Sequence, residues 1–181
     1  MDIMLNHTIN RMPFFNLKNI ISGIYPSISK NITNETLVAR YCREWEIQYS
    51  NLIKPIFDKL KQQDILPVKY KKMKKHSYQA QIDAVRDYTE NKMKLKSFNL
   101  LTKPLDATLR NSLVHYNYFF DKNGDELVYY RIFNGKTKID RISIDSFANK
   151  VFLLLVLRNI FTVRIAKKLS KELGIKWKRR F

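Results

Sequence analysis

The chain has 181 residues, of which 45% are hydrophobic and 13% aromatic, and this composition predicts one folded domain with a core rather than a disordered chain. It carries 34 Lys and Arg against 16 Asp and Glu, a formal net charge of +18 at pH 7. One cysteine, Cys42, excludes an internal disulfide, and the three histidines at positions 7, 76 and 115 do not have the spacing of a zinc site. We therefore expect no metal and no cofactor.

The first 35 residues carry Pro13, Gly23 and Pro26 among mixed polar and aromatic residues, which predicts an N-terminal extension packed on the body. An acid at position 2 and the lack of a small-residue cleavage pattern argue against a secretory signal. The longest apolar stretch, residues 151–157, is far shorter than the roughly 20 residues that span a bilayer. We expect a cytoplasmic protein that does not enter a membrane.

Residues 36–181 have the pattern of a helical domain with a basic C-terminal tail. Apolar residues at three- to four-residue spacing predict a long amphipathic helix over residues 35–63, with Asn34 as its cap and a bend at Pro55. After Leu66 and Pro67, the segment 70–96 lacks Gly and Pro and predicts a second, very basic helix. A third helix is predicted from about residue 105 to 116.

From residue 117 onward, the spacing of apolar residues is typical of strands rather than of helices. Residues 117–133 form two aromatic and β-branched runs around a turn sequence that ends in Gly124, which predicts a hairpin. Asn134 and Gly135 predict another turn into an alternating strand, and a final helix is predicted over 147–173, capped by Asp145 and Ser146 and ended by Gly174. The predicted fold class is mainly α, a helical bundle with a small β-hairpin or three-strand flap before the last helix.

The charge is concentrated in three basic runs, two of which contain aromatic side chains. Cations beside rings suit single-stranded nucleic acid, whose phosphates they neutralise and whose bases stack. RNA is the partner we expect, with a solvated basic face or an anionic membrane surface as the alternatives. The candidate nucleic-acid-binding residues are Lys69, Lys71, Lys72, Lys74, Lys75, Lys92, Lys94, Lys176, Trp177, Lys178, Arg179 and Arg180.

The third predicted helix has two distinct faces. At 100° per residue, one apolar stripe is expected to face the core, and it consists of Leu105, Leu109, Leu113 and Tyr116. The opposite face carries Arg110, Asn111, Val114 and His115. A guanidinium can grip phosphate oxygens, an amide can orient a neighbour and an imidazole can move a proton near neutral pH. The face predicts a phosphate-handling site.

Taken alone, an Arg followed by a His is weak evidence. Arg158 and Asn159 repeat the first two residues on another helix with no His after them. His115 could equally be a surface or capping histidine near a helix end.

The segment LDATLRNSLVHYNYFFD resembles the signature helix of the HEPN superfamily, in which Arg, a polar residue, a few variable positions and then His follow one another. The similarity in the order of elements covers about residues 36–173. One HEPN branch has a Tyr two residues after the His, where this chain has Asn117. The resemblance therefore does not imply regulation through that tyrosine.

The resemblance implies a metal-independent endoribonuclease of defence or toxin systems, with an antitoxin or a larger defence complex as a further partner. His115 would act as general base or acid, Arg110 would stabilise the transition state and Asn111 would orient either one. It also implies that two motifs meet across a homodimer. The interface residues we expect are Val114, Tyr116 and Tyr118.

Two other functions stay open. A non-catalytic HEPN-like module could bind RNA or a nucleotide through the same face without cutting it. An unrelated basic helical nucleic-acid-binding protein could carry Arg110 and His115 by coincidence.

Overall fold

The structure, a computed structural model, describes residues 33–95, 98, 99, 102–133 and 136–175. The described helices are α1 (Asn34–Gln48), a π-helical turn (Tyr49–Ile53), α2 (Lys54–Gln62), α3 (Val68–Lys71), α4 (Tyr78–Asn91), α5 (Ala107–Val114) and α6 (Ile144–Leu173). The strands β1 (Tyr118–Phe120), β2 (Glu126–Phe133) and β3 (Lys136–Ser143) form an antiparallel sheet in the order β1-β2-β3. The chain is therefore mainly helical with a three-stranded sheet before its last helix, as predicted.

The long helix predicted from Asn34 is present as α1, the π-helical turn and α2 in succession. Its N-cap is Thr33 rather than the predicted Asn34, because the Thr33 side chain accepts a hydrogen bond from the backbone N–H of Thr36 and Asn34 is already helical. Its irregularity lies just before Pro55, where the N–H of Lys54 donates to the carbonyl of Tyr49 five residues earlier. Proline has no N–H to donate within a regular helix, and the wider turn accommodates it.

Among the described residues, the second predicted helix is wrong over 72–77 and 92–95. The helical turn α3 ends at Lys71, residues 72–77 form a connecting loop, and α4 runs only from Tyr78 to Asn91. Consecutive lysines repel one another in a helix, and Ser77 supplies an alternative start because its Oγ accepts from the N–H of Ala80 at 3.2 Å. The basic run is therefore presented on a loop.

The third predicted helix is present and shorter. Asp106 caps α5 by accepting from the backbone N–H groups of Thr108 and Leu109, both at 3.0 Å. The predicted core stripe is confirmed at three of its four positions, which are at most 2% exposed: Leu105, Leu109 and Leu113. Tyr116 was wrongly placed in that stripe. The helix ends at Val114, and Tyr116 has a left-handed φ of 57° and is 84% exposed.

The sheet holds the end of α5 in place. Ser112 donates through its hydroxyl to the carbonyl of Tyr130 at 2.6 Å, and the N–H of Asn117 donates to the carbonyl of Ser112 at 2.8 Å. The core-facing side of the sheet packs on the helices through Leu127 and its neighbours, namely Tyr118, Phe120, Tyr129 and Ile142. The motif-bearing helix is thus fixed on one side by the core and at its end by β2.

The last helix starts earlier than predicted and ends as predicted. Ser143, rather than Asp145 or Ser146, is its N-cap, because the Ser143 hydroxyl accepts from the N–H of Ser146 at 3.3 Å. Gly174 ends it with a φ of 64°. The ring of Phe147 packs 5.3 Å from that of Tyr41, so α6 is joined to α1 through the core.

Some predicted features lie outside the described residues. These are most of the N-terminal extension, the turn at Asn134 and Gly135, and the basic tail from Lys176. Within the described part of the chain, we find no helix that is both long enough and apolar enough to cross a membrane.

We predict that the free energy of unfolding of Tyr116→Gly is about 0.5–1 kcal/mol higher than that of Tyr116→Ala, because glycine occupies the left-handed region without the cost that a Cβ brings. Both variants lack the Tyr116 ring, which is 84% exposed in one copy of the chain. Urea denaturation measures the change.

Tyr116→Ala is the matched control, since it removes the same ring but keeps the Cβ. It should be no more stable than the original protein. A glycine variant less stable than the alanine variant would contradict the assignment of strain to this residue.

Candidate functional site

Arg110 is held by side chains from two other elements of the fold, α1 and α4. Its Nη2 forms an ion pair with Oε1 of Glu46 on α1. Its guanidinium carbon lies 5.3 Å from the ring centroid of Trp45 and 5.5 Å from that of Tyr78 at the start of α4. Only 16% of the Arg110 side chain is exposed. An ion pair with a carboxylate and contacts with two aromatic rings hold the Arg110 guanidinium in one conformation.

The rings that contact Arg110 form an aromatic cluster with Tyr49. Trp45 stacks on Tyr49 with centroids 5.2 Å apart, and Tyr78 meets both rings edge-on, at 5.6 Å from Trp45 and 4.8 Å from Tyr49. The hydroxyl of Tyr49 donates to Oε1 of Gln81 at 2.6 Å, and burial raises the pKa of Tyr49 to about 12. The π-helical turn begins at Tyr49, so the irregular turn of the long helix lies at the base of this cluster.

The structure joins two of the three predicted catalytic residues. Nη1 of Arg110 donates to Oδ1 of Asn111 at 3.1 Å, which leaves the Asn111 amide nitrogen with no partner among the described residues. His115 is exposed, and its side chain has no hydrogen bond or ion pair within the described part of the chain. From Arg110 to His115 the helix rises about 7.5 Å and turns about 140°. The predicted convergence on one point is therefore seen only for Arg110 and Asn111.

A cleft of about 380 Å³ opens beside this helix face. Its lining includes His76, Ser77, Tyr78, Gln79, Thr108 and Asn111. Asn111 is thus shared between the cleft and the Arg110 contacts. The sequence offered little signal for this cleft, because its two walls come from segments about 30 positions apart and only Asn111 belongs to the motif.

His76 is the histidine that the sequence analysis did not select. Its Nε2 lies 2.7 Å from the carbonyl oxygen of Tyr70, which can only accept, so Nε2 carries the hydrogen that it donates. Its ring packs edge-on against Phe57 at 5.0 Å. The cleft therefore contains an imidazole whose orientation is fixed by the fold.

The predicted basic residues separate into groups. Lys69 pairs with Asp87 at 2.7 Å and Lys71 with Asp64 at 3.0 Å. The hydrogen bond to Asp87 raises the pKa of Lys69. Within the described part of the chain, the loop lysines are exposed and have no ion pair, and they are Lys72, Lys74 and Lys75.

Two further lysines lie elsewhere on the surface. Lys92 and Lys94 are exposed beyond the far end of α4, about 20 Å along the helix from the cleft. The remaining predicted contacts of the C-terminal tail lie outside the described residues. The lysines of the 72–75 loop thus have no acidic partner among the described residues, and they directly precede the cleft-lining His76 in the sequence.

The predicted interface residues do not all face outward. Val114 is 39% exposed and Tyr116 84%, whereas Tyr118 packs against the core and contacts Phe120 edge-on at 5.9 Å. Phe119 is 47% exposed and was not selected from the sequence. Alternation in β1 explains the difference, since neighbouring residues of a strand face opposite sides.

Comparison of the chain with protein-family models, with curated proteins and with solved structures finds no match. The chemistry of the site therefore follows from its own residues: a fixed cation, an amide bonded to it, an exposed imidazole and a loop of lysines beside a cleft. These groups can bind a phosphate and move a proton.

Cys42 provides a native reporter of the Arg110 and Glu46 pair. Burial raises the pKa of the Cys42 thiol, while Arg110 lowers it and Glu46 raises it. We predict that Arg110→Met raises this pKa further, because the thiolate loses a nearby cation, and that Glu46→Gln lowers it. The rate of alkylation by iodoacetamide, measured across pH, reports the thiolate fraction of this single cysteine.

The matched control is Arg141→Met, which removes the arginine of an exposed pair with Glu126. It should leave the alkylation profile of Cys42 unchanged. Shifts of the same sign in Arg110→Met and Glu46→Gln would show that the pair does not act electrostatically on Cys42.

Proposed function

We propose that this protein is a metal-independent endoribonuclease of the HEPN type, which cuts single-stranded RNA at a site shared by two copies of the chain. The observation that carries the proposal is the arrangement on α5, where a fixed Arg110 hydrogen-bonds Asn111 and an exposed His115 ends the same helix. The formal charge of +18 supports a polyanionic substrate.

Arg110 retains hydrogen-bonding capacity for a phosphate. A guanidinium has five N–H groups, and the described contacts engage one from Nη2 with Glu46 and one from Nη1 with Asn111. Each Nη therefore keeps one hydrogen for a substrate oxygen. Because Oδ1 of Asn111 accepts from Arg110, its amide nitrogen is the donor that faces a ligand.

The proposed chemistry uses the hydroxyl of the substrate. The 2′-oxygen attacks the adjacent phosphorus while His115 of one copy accepts the hydroxyl proton. The bond from phosphorus to the 5′-oxygen breaks, and that oxygen takes a proton from a water molecule, which in turn receives one from the same protonated His115. Each dimer would then hold two equivalent sites, each with His115 of one copy and Arg110 of the other. Arg110 and Asn111 donate hydrogen bonds to the non-bridging oxygens as their charge grows. The products are a 2′,3′-cyclic phosphate and a 5′-hydroxyl.

The geometry of one copy favours a shared site. Arg110 is committed towards Glu46 and the rings, and His115 lies about 7.5 Å further along the helix on a different side. A two-fold axis beside the end of α5 would bring His115 of one copy towards Arg110 of the other. The exposed apolar side chains around His115 suit such a contact, and they are Val114, Tyr116 and Phe119.

RNA binding without cleavage is the second candidate function. The burial of Arg110 and its pairing with Glu46 favour it, because a neutralised, packed arginine can be structural rather than catalytic. An RNA-binding module would use the same lysine loop and cleft.

We predict that the purified protein cuts single-stranded RNA in excess chelator, leaves 2′,3′-cyclic phosphate ends and spares DNA, since DNA lacks the attacking hydroxyl. His115→Ala should lower the cleavage rate by about 100-fold or more, the scale of a lost general base or acid. Electrophoresis of an end-labelled RNA and mass spectrometry of its products measure both outcomes.

Asn117→Ala is the matched control, because Asn117 is exposed two residues beyond His115. It should cut RNA at the original rate, and all variants should keep their helical circular dichroism. A requirement for magnesium, equal cutting of DNA, or full activity in His115→Ala would overturn the proposed mechanism.

A further inference from the structure

We propose that the cleft between α4 and α5 binds one nucleotide unit of single-stranded RNA, with its base against Tyr78 and its phosphate towards the lysines of the 72–75 loop. The inference rests on the proposed function and extends it, because it names a substrate subsite that lies beside the His115 motif rather than within it.

The size and lining of the cleft fit a nucleotide. Its volume of about 380 Å³ lies within the range of small-molecule sites. Gln79 is fixed in this wall, since its Oε1 accepts from the N–H of Ala107 and its Nε2 donates to Asp83. The amide nitrogen of Asn111 and the hydroxyl of Thr108 have no side-chain hydrogen bond among the described residues. These two groups remain for a base edge or a ribose.

Tyr78 has the properties of a stacking platform. It is 40% exposed, so part of its ring is open to solvent beside the cleft. Edge contacts with Trp45 and Tyr49 and the nearby Arg110 guanidinium hold the ring in one orientation. A base that stacks on a ring already held in place costs less conformational entropy than one that must order the ring first.

The lysine loop supplies the charge that a phosphate requires. Residues 72–75 directly precede His76 and Ser77, which line the cleft. Their lysines have no ion pair within the described part of the chain, whereas Lys69 and Lys71 on α3 are paired with Asp87 and Asp64. Unpaired like charges on a short loop repel each other until an anion lies among them.

Asn111 connects this cleft to the proposed cleavage site. Its side chain lines the cleft and accepts a hydrogen bond from Arg110 at 3.1 Å. A nucleotide in the cleft would therefore lie next to the phosphate that Arg110 contacts. The cleft would fix which phosphate of a bound strand is presented for cleavage.

The test measures binding of a fluorescein-labelled 2′-O-methyl RNA decamer, which lacks the attacking hydroxyl and cannot be cut. Thr108→Glu places an anion in the cleft but suits the first turn of α5, where acidic residues are favoured, so the fold should persist. Thr36→Glu makes the same change in the first turn of α1, at an exposed position outside the cleft lining.

We expect Thr108→Glu to weaken decamer binding at least tenfold and Thr36→Glu to change it less than twofold. Replacing Lys72, Lys74 and Lys75 by serine should weaken binding and flatten its salt dependence. Replacing Lys69 and Lys71 by serine should have a smaller effect on both. Equal affinity in Thr108→Glu and Thr36→Glu would overturn the proposal.

Competition with adenosine 5′-monophosphate tests whether the cleft binds a nucleotide unit of an RNA strand or a free nucleotide. We expect millimolar concentrations to be needed to displace the decamer, because the mononucleotide reaches fewer lysines. An affinity equal to that of the decamer would assign the cleft to a free nucleotide and overturn the RNA assignment.

Failure of this inference and failure of the proposed function are distinguishable. Cleavable RNA cut equally fast by the original protein and Thr108→Glu would overturn the cleft assignment and leave the nuclease standing. Binding of the decamer that depends on Thr108, with no cleavage of ordinary RNA, would support the cleft and reject the nuclease.

Discussion

The contact on which the site depends is the placement of Arg110 between Glu46, Trp45 and Tyr78. It ties α5 to α1 and to the start of α4 across 64 and 32 positions of the chain, and it buries a cation that would be costly without its carboxylate. The same contact orients Asn111 and fixes one face of Tyr78. The cleft and the motif are therefore one connected structure.

The α5 helix contributes residues both to the cleft and to the His115 end of the motif, and different contacts hold its two ends. Asp106 and Gln79 satisfy the backbone N–H groups of its first turn, whereas the carbonyl of Tyr130 accepts from Ser112 near its last. The leucine stripe anchors the helix between these points. The exposed face of the helix ends at its C-cap, His115, so the proposed proton-transfer group lies at the end of a rigid element.

The fold could be predicted from the sequence where the spacing of apolar residues follows one clear period. The leucines of α5 have a helical period and face the core, and the predicted alternation of β3 is seen at its end, where Ile142 packs on the core and Arg141 and Ser143 are exposed. The helix prediction is wrong at Tyr116 because the helix ends two residues before it. It is wrong over 72–77 because charge repulsion between the lysines and the Ser77 cap outweigh helix propensity.

The candidate residues Arg110, Asn111 and His115 could be selected from one segment of the sequence. Glu46, Tyr78 and His76 could not, since only tertiary packing brings them to the site.

The central claim is that the working site combines groups from two copies, and mixing inactive variants tests it most directly. Arg110→Ala and His115→Ala proteins are unfolded together, refolded in equal amounts and assayed for RNA cleavage. If Arg110 of one copy works with His115 of the other, half of the dimers regain one of their two sites, and activity returns to about a quarter of the original. A mixture as inactive as either variant alone, with mixed dimers demonstrated by mass, would contradict the account.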